Sequence, residues 1–327
     1  MVYLLFTVVI MLVQWNQLQT AEDMVKGRIQ WLLVTLAVWG VYRLVPCRLT
    51  IFLRIAVQMI FLSFWYQDTY ELNRTLPNLD HIFAELEQSI FSCQPALLFA
   101  QKVPWGWFSE LMCLGYVSYF PLMTILLVYY IVKRYKEFLM ASFVLLASFY
   151  LYYVIFDLVP VTGPQYYYEA VGTDQIAAGI FPNLSDWFLT HSERMAPPGW
   201  TGGLIYHLLE MVHDAGEHPT AAFPSSHVGI TTVVMLLALH TRSRSLCLTI
   251  LPFYVLMCFA TVYIMAHYAI DAIAGLLMGI LFYFCLKAIY PKVSHRQTHS
   301  FPPTNYGFLG GKLPLTYRLS TNHVPHE

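Results

Sequence analysis

The apolar positions of this chain fall in long blocks rather than in short amphipathic stripes. Two blocks carry no charge at all, Leu111–Val132 and Phe138–Phe156. Two more lie at about Ser245–Met265 and His267–Leu286, and a shorter one runs from Ser226 to Thr241. Earlier come Val2–Trp15, Ile29–Val45 and Thr50–Tyr66, the last with Arg54 near enough to one end to snorkel. A helix needs about 20 mostly apolar residues to cross the hydrocarbon core. The pattern therefore predicts an all-α polytopic transmembrane helix bundle of about eight spans, or seven if one short block does not cross. Met1–Ala21 lacks the basic start of a cleaved signal peptide, so it reads as a retained first span.

Composition agrees with the blocks. Hydrophobic residues make up 57% of the 327 residues and charged residues 11%, where a soluble domain carries about 25% charged. Soluble enzymes are excluded. A net charge of -1 offers no basic face to a nucleic acid.

Basic residues in short loops orient the bundle. Lys133, Arg134 and Lys136, then Arg242 and Arg244, then Lys287, Lys292 and Arg296, and finally Arg43 and Arg48 all fall on one face if there are eight spans. That face is predicted to be cytoplasmic, with both termini inside. Two long loops, Gln67–Glu110 and Asp157–Pro224, then face outward, with a tight outer turn at about Met265–Ala266. The domain reading is 1–66 for the N-terminal spans and 67–110 for an outer loop. A catalytic core follows over 111–290, including outer loop 157–224, and a disordered cytoplasmic tail over 291–327. Asn73 and Asn183 each begin an N-x-S/T triplet, which chance explains better than glycosylation. Of the six cysteines, four lie in apolar blocks, and no CxxC spacing suggests a metal.

Two segments carry candidate chemistry. In Ala266-His267-Tyr268-Ala269-Ile270-Asp271, the four-residue spacing puts His267 and Asp271 on one helix face. The carboxylate can accept from one ring nitrogen and leave the other free to attack, or the two can form a structural pair near a helix end. In Ala222-Phe223-Pro224-Ser225-Ser226-His227, proline and serines lead into a helix whose free N–H groups suit a phosphate. His227 in its first turn is placed to donate a proton to a leaving oxygen. An ordinary capped helix is the bland alternative. The segments sit one helix down, one short inner turn and one helix back from each other, which brings their N-terminal ends together. The combination is that of phosphoryl transfer without a metal or other cofactor.

Pro224-Ser225-Ser226-His227 resembles the PSGH motif of the type 2 phosphatidic acid phosphatase superfamily, and His267-x-x-x-Asp271 resembles the end of its third motif. The resemblance covers mainly residues 110–290 and implies a six-helix phosphatidic-acid-phosphatase-like core. Two departures stand out. Ala260-Thr261 occupies the place of a usual Ser-Arg, and the usual Lys-x6-Arg-Pro motif has no match. This pattern, with the HY-x-x-D form of His267–Asp271, is similar to the inositol phosphorylceramide synthase branch. By that resemblance His267 attacks phosphorus and becomes a phosphohistidine, Asp271 orients it, and His227 protonates the departing alkoxide. Ser225 and Ser226 help to seat the phosphate. The branch implies a phospholipid donor and a lipid alcohol acceptor. Arg194 and Lys102 are candidates for the missing cation, and Tyr168, in Gly163–Tyr168, for the headgroup pocket.

Other readings compete. A lipid phosphate phosphatase acting on phosphatidic acid or a polyprenyl diphosphate would use water as acceptor. A proton-coupled transporter would use the His–Asp pair as a relay, yet no internal repeat is present. His207, Glu210, His213, Asp214 and His218 cluster in the second outer loop, but Leu204, Ile205, Leu208, Leu209 and Val212 among them read as an amphipathic interfacial helix rather than a metal site. Oligomeric state is open.

Overall fold

A computed structural model describes residues 1–298. Among them the chain forms fourteen α-helices and no strand. They are α1 (Val2–Val13), α2 (Ala21–Leu44), α3 (Arg48–Asn73), α4 (Asp80–Phe91), α5 (Pro95–Lys102), α6 (Gly106–Val117) and α7 (Tyr119–Lys133). Then follow α8 (Tyr135–Phe156), α9 (Pro164–Val171), α10 (Thr173–Ala177), α11 (Leu204–Gly216), α12 (Ser226–His240), α13 (Arg244–Tyr263) and α14 (Ala269–Thr298). α14 runs on past Pro291, where the sequence reading began a polar tail; the rest of that tail lies outside the described residues.

Helices α3, α8, α13 and α14 are each long and apolar enough to cross a membrane, and α6 with α7 makes a fifth span bent by 49°. The chain is an integral membrane protein. The bend interrupts what the sequence reading took as one straight block. Its cause is Pro121, whose ring would clash with the carbonyl of Val117 four residues back. Ser118, at the break, donates its hydroxyl to the Gly115 carbonyl at 2.6 Å. α2 falls short of a span because Arg28 and Arg43 confine its apolar run to fewer residues than a crossing needs.

The chain divides into two units, and Met1–Ala21 with Phe64–Tyr290 forms the first. In it α12 packs against α7, α8 and α13, while α13 packs on α5, α6 and α7. α12 is a core helix, with Val228, Ile230, Val233, Val234 and Leu237 all fully buried. The second unit contains Glu22–Ser63. There α2 and α3 pair as an antiparallel hairpin, with Trp31 edge-on to Phe61 and Gln58 donating to Thr35 at 3.2 Å. Thr50 closes the turn by donating to the Val45 carbonyl at 2.7 Å.

The first helix departs from expectation. α1 has only 12 residues, about 18 Å of rise. Tyr3 at its start donates to Asp157, just past the end of α8, at 3.0 Å. Thr20, after its end, donates to Glu71 near the end of α3 at 2.8 Å. Asn73 and the Phe156 carbonyl tie those two helix ends together. Tyr3 therefore holds the start of α1 at this end of the bundle, and the chain is back at it by Thr20; the 12 residues of α1 are too few to cross the hydrocarbon core. Tyr3, near the N-terminus, thus lies at the end of the bundle from which loop 157–224 emerges.

Candidate functional site

The two chemistry-bearing segments meet where α12 and α14 begin. Ser225 caps α12: its Oγ accepts from the Val228 amide at 3.3 Å. Its own amide donates to the Asp271 carbonyl at 3.0 Å, which stitches the start of α12 to the first turn of α14. The helices touch closely enough that a Cβ on Gly275 would collide with the Ser225 carbonyl. The first-turn amides of Ser226 and His227 have no intrahelical acceptor and so can receive an anion.

His227 and His267 come together as the spacing implied. His227 Nδ1 stands 3.4 Å from His267 Nε2. The His227 ring is stacked on Tyr116, with centroids 4.5 Å apart, and tilted against Tyr119 at 4.4 Å. These tyrosines flank the break between α6 and α7, so the bend lets both grip one imidazole.

His267 does not sit on a helix. It occupies the turn between α13 and α14, its amide bonded to the Thr261 carbonyl at 3.0 Å. Its Nδ1 donates to the main-chain carbonyl of Ala222 at 2.7 Å, and this leaves Nε2 as the bare nitrogen. Asp271 Oδ2 is 3.8 Å from the same Nδ1. It instead accepts the Tyr268 amide at 2.9 Å. Asp271 is the third residue of α14 and Tyr268 precedes the helix, so the carboxylate reaches back to cap the helix start. The orienting bond expected from Asp271 is thus made by a backbone carbonyl, with the Asp271 carboxyl close behind it. Burial lowers the His267 pKa to about 4, against the opposing pull of the Ala222 bond and of Glu217. The imidazole is neutral at pH 7.

Main-chain bonds hold the turn in place. Gln165 donates to the Met265 carbonyl and accepts from Met195, each at 2.9 Å, and Ala222 donates to Val161 at 3.0 Å. Gly163, at φ +94, abuts the Ala266 carbonyl, and any Cβ there would lie 2.7 Å from that oxygen.

The three lesser candidates stand elsewhere. Arg194 is paired with Glu210 at 3.1 Å and Asp214 at 3.0 Å on α11. Lys102 is exposed at the end of α5. Tyr168 is fully buried and donates to Gln94 Oε1 at 2.9 Å. None of the three contacts either histidine among the described residues. Glu210 and Asp214, the acids of the His207–His218 cluster, are occupied by Arg194, and His213 is buried against Tyr116 and 3.2 Å from Glu217. α11 exposes Leu204, Leu208, Met211 and Val212 on its other side.

Sequence reasoning missed the Ala222 carbonyl, the two tyrosines and Glu217. A backbone acceptor has no residue signature. Tyr116 and Tyr119 sat inside an apolar block and read as span residues. Glu217 has a buried carboxylate that accepts from Tyr116 at 3.3 Å and whose charge reaches His267.

The sequence model of the PAP2 superfamily matches residues 81–285, a stretch that takes in both histidines and Asp271. No curated protein and no solved structure matches the chain.

Proposed function

The chain belongs to the PAP2 superfamily, and on that premise we propose that it is an integral-membrane lipid phosphotransferase. It moves a phospho-headgroup from a phospholipid to a lipid alcohol, in the manner of inositol phosphorylceramide synthases. The observation that carries this reading is the apposition of His227 Nδ1 and His267 Nε2 at 3.4 Å where two helices begin. One imidazole is bare toward the other and held neutral, as a nucleophile requires.

In the first half-reaction the Nε2 lone pair of His267 attacks phosphorus. The bond from phosphorus to the diacylglycerol oxygen breaks, and that oxygen takes a proton from His227. In the second, the acceptor hydroxyl gives its proton to His227 and its oxygen attacks phosphorus. The P–N bond breaks and its electrons return to Nε2. In-line transfer places phosphorus and the leaving oxygen between the two nitrogens, so the 3.4 Å separation widens as substrate enters. The first-turn amides of α12 and the Ser226 hydroxyl receive the phosphate oxygens. Asp271 and Glu217 stabilise the positive charge that the His267 ring gains on phosphorylation. The dearth of cations around the histidines favours a diester, with about one charge, over a monoester with nearly two.

The test is an assay in mixed micelles with phosphatidylinositol, phosphatidic acid and a ceramide, without added metal. The expected products are a phosphorylated sphingolipid and diacylglycerol. His267→Ala and His227→Ala should each lower turnover at least about 10³-fold while still inserting. Free phosphate from phosphatidic acid as the sole product would make the enzyme a phosphatase instead. Near-normal turnover by His267→Ala would sink the phosphohistidine.

A further inference from the structure

The amphipathic helix α4 is reversed relative to an ordinary surface helix. Ile82, Leu86, Ile90 and Phe91 are exposed, whereas Asp80 and Glu87 are fully buried. Seven residues apart, the two carboxyls share one face. Buried acids without cations are costly, and they persist where their bonds hold something in place.

Each grips one side of the His267 turn. Asp80 Oδ1 accepts the Gly163 amide at 2.9 Å and the Tyr268 hydroxyl at 3.1 Å. Its Oδ2 accepts the Thr162 amide at 2.7 Å, the Thr162 hydroxyl at 2.9 Å and the Asn78 side-chain amide at 2.6 Å. Gly163 in turn abuts Ala266, the residue before His267. Glu87 Oε1 accepts the amide of Ala269, the first residue of α14, at 2.5 Å. Its Oε2 is buried with no hydrogen-bond partner. Residues 266, 268 and 269 are thus all restrained from α4, and 267 stands among them.

We propose that Asp80 and Glu87 are positioning residues that clamp the His267 turn and thereby fix where the imidazole stands for attack. The role rests on the phosphotransfer reading above, although the clamp itself can be observed without activity. Among the described residues the titratable groups that face Glu87 are Asp271 of α14, Tyr168 of α9 and Tyr268 of the turn, all acids. Burial first, and then the charge of Asp271, push the Glu87 pKa up to about 8, against the Ala269 bond. Glu87 is therefore a neutral acid at pH 7. Above pH 8 it ionises beside Asp271, and repulsion between the two carboxyl groups displaces the turn from its pH 7 position, although the Ala269 amide bonds a carboxylate more strongly than a neutral acid.

The experiment compares full-length wild type, Glu87→Ala and Glu87→Gln in the micelle assay from pH 6 to 9.5. Amide hydrogen exchange of the segment from Tyr263 to Leu276 is measured alongside. Glutamine keeps a carbonyl for Ala269 and cannot ionise. Expected is a wild-type kcat that falls above pH 8, and a Glu87→Gln kcat near wild type at pH 7 without that fall. Glu87→Ala should lose about 10- to 100-fold in kcat with KM within about twofold, and exchange faster in that segment. An alkaline limb unchanged in Glu87→Gln, or a wild-type kcat in Glu87→Ala, overturns the clamp. If Glu87→Ala does not insert, the Glu87→Gln profile decides. Should wild type show no phosphotransfer at all, the function reading fails. The clamp is then judged by exchange alone, and equal rates in Glu87→Ala and wild type refute it.

Discussion

His267 owes its chemistry to three neighbours of different kinds. The Ala222 carbonyl fixes the tautomer, burial keeps the ring neutral, and Asp271 places a carboxyl group 3.8 Å away. This division makes a definite prediction. In a triad whose carboxylate also fixes the tautomer, its conversion to an amide costs about 10⁴ in kcat. Here the tautomer survives the change, so Asp271→Asn should lose only about 10²-fold, with KM nearly unchanged. Steady-state kinetics on the purified variant checks it, and a loss near that of His267→Ala would return the orienting role to Asp271. Residue type and spacing single out His227, His267 and Asp271 in the sequence, and the fold brings the two imidazoles within 3.4 Å of each other. The division of labour was not legible there. A carbonyl 45 residues away in sequence from the imidazole it holds leaves no trace in residue identities.

At the scale of elements, the site depends on how closely α12 and α14 approach. Gly275 permits the contact with the Ser225 carbonyl, and Tyr152 also donates to the Gly275 carbonyl at 2.9 Å. A methyl group there has no space and faces backbone. Gly275→Ala should therefore push apart the two helix starts that carry the histidines. Overpacking of this kind costs about 1–3 kcal/mol, visible as a lower thermal midpoint in detergent, and activity should fall by at least about tenfold. An unchanged midpoint would mean that the helices part without strain. Most spans were legible as apolar blocks, since lipid imposes that pattern. Two features were not. The bend at Ser118 was hidden because Pro121 was read as part of a continuous apolar run. α1 is apolar enough to mimic a span, but its 12 residues are too few to cross.

For the whole molecule, basic residues at helix ends predict which side faces the cytoplasm. In the first unit Arg134, Glu137, His240 and Lys287 gather at one end, with His240 Nε2 3.2 Å from Glu137 and Lys287 3.1 Å from His240 Nδ1. The histidine pair lies toward the other ends of α12 and α14. The site is thus predicted to open on the extracytoplasmic side, periplasmic or lumenal. In a background lacking native cysteines, Lys102→Cys should react with a membrane-impermeant maleimide applied from that side. Arg244→Cys should react only after the membrane is opened. Both positions are exposed. The reverse pattern would invert the orientation. The match to the PAP2 superfamily begins at residue 81 and so includes Glu87 as well as His227, His267 and Asp271.

The Ala222 carbonyl has one further implication, which concerns inheritance rather than catalysis. A side-chain acceptor is encoded, and a single nucleotide change can delete it. A main-chain carbonyl has no codon of its own. Almost any residue at position 222 that fits the same small space would present the same oxygen to His267. The tautomer of His267 is therefore not written in the identity of any side chain, and at position 222 selection acts on size alone.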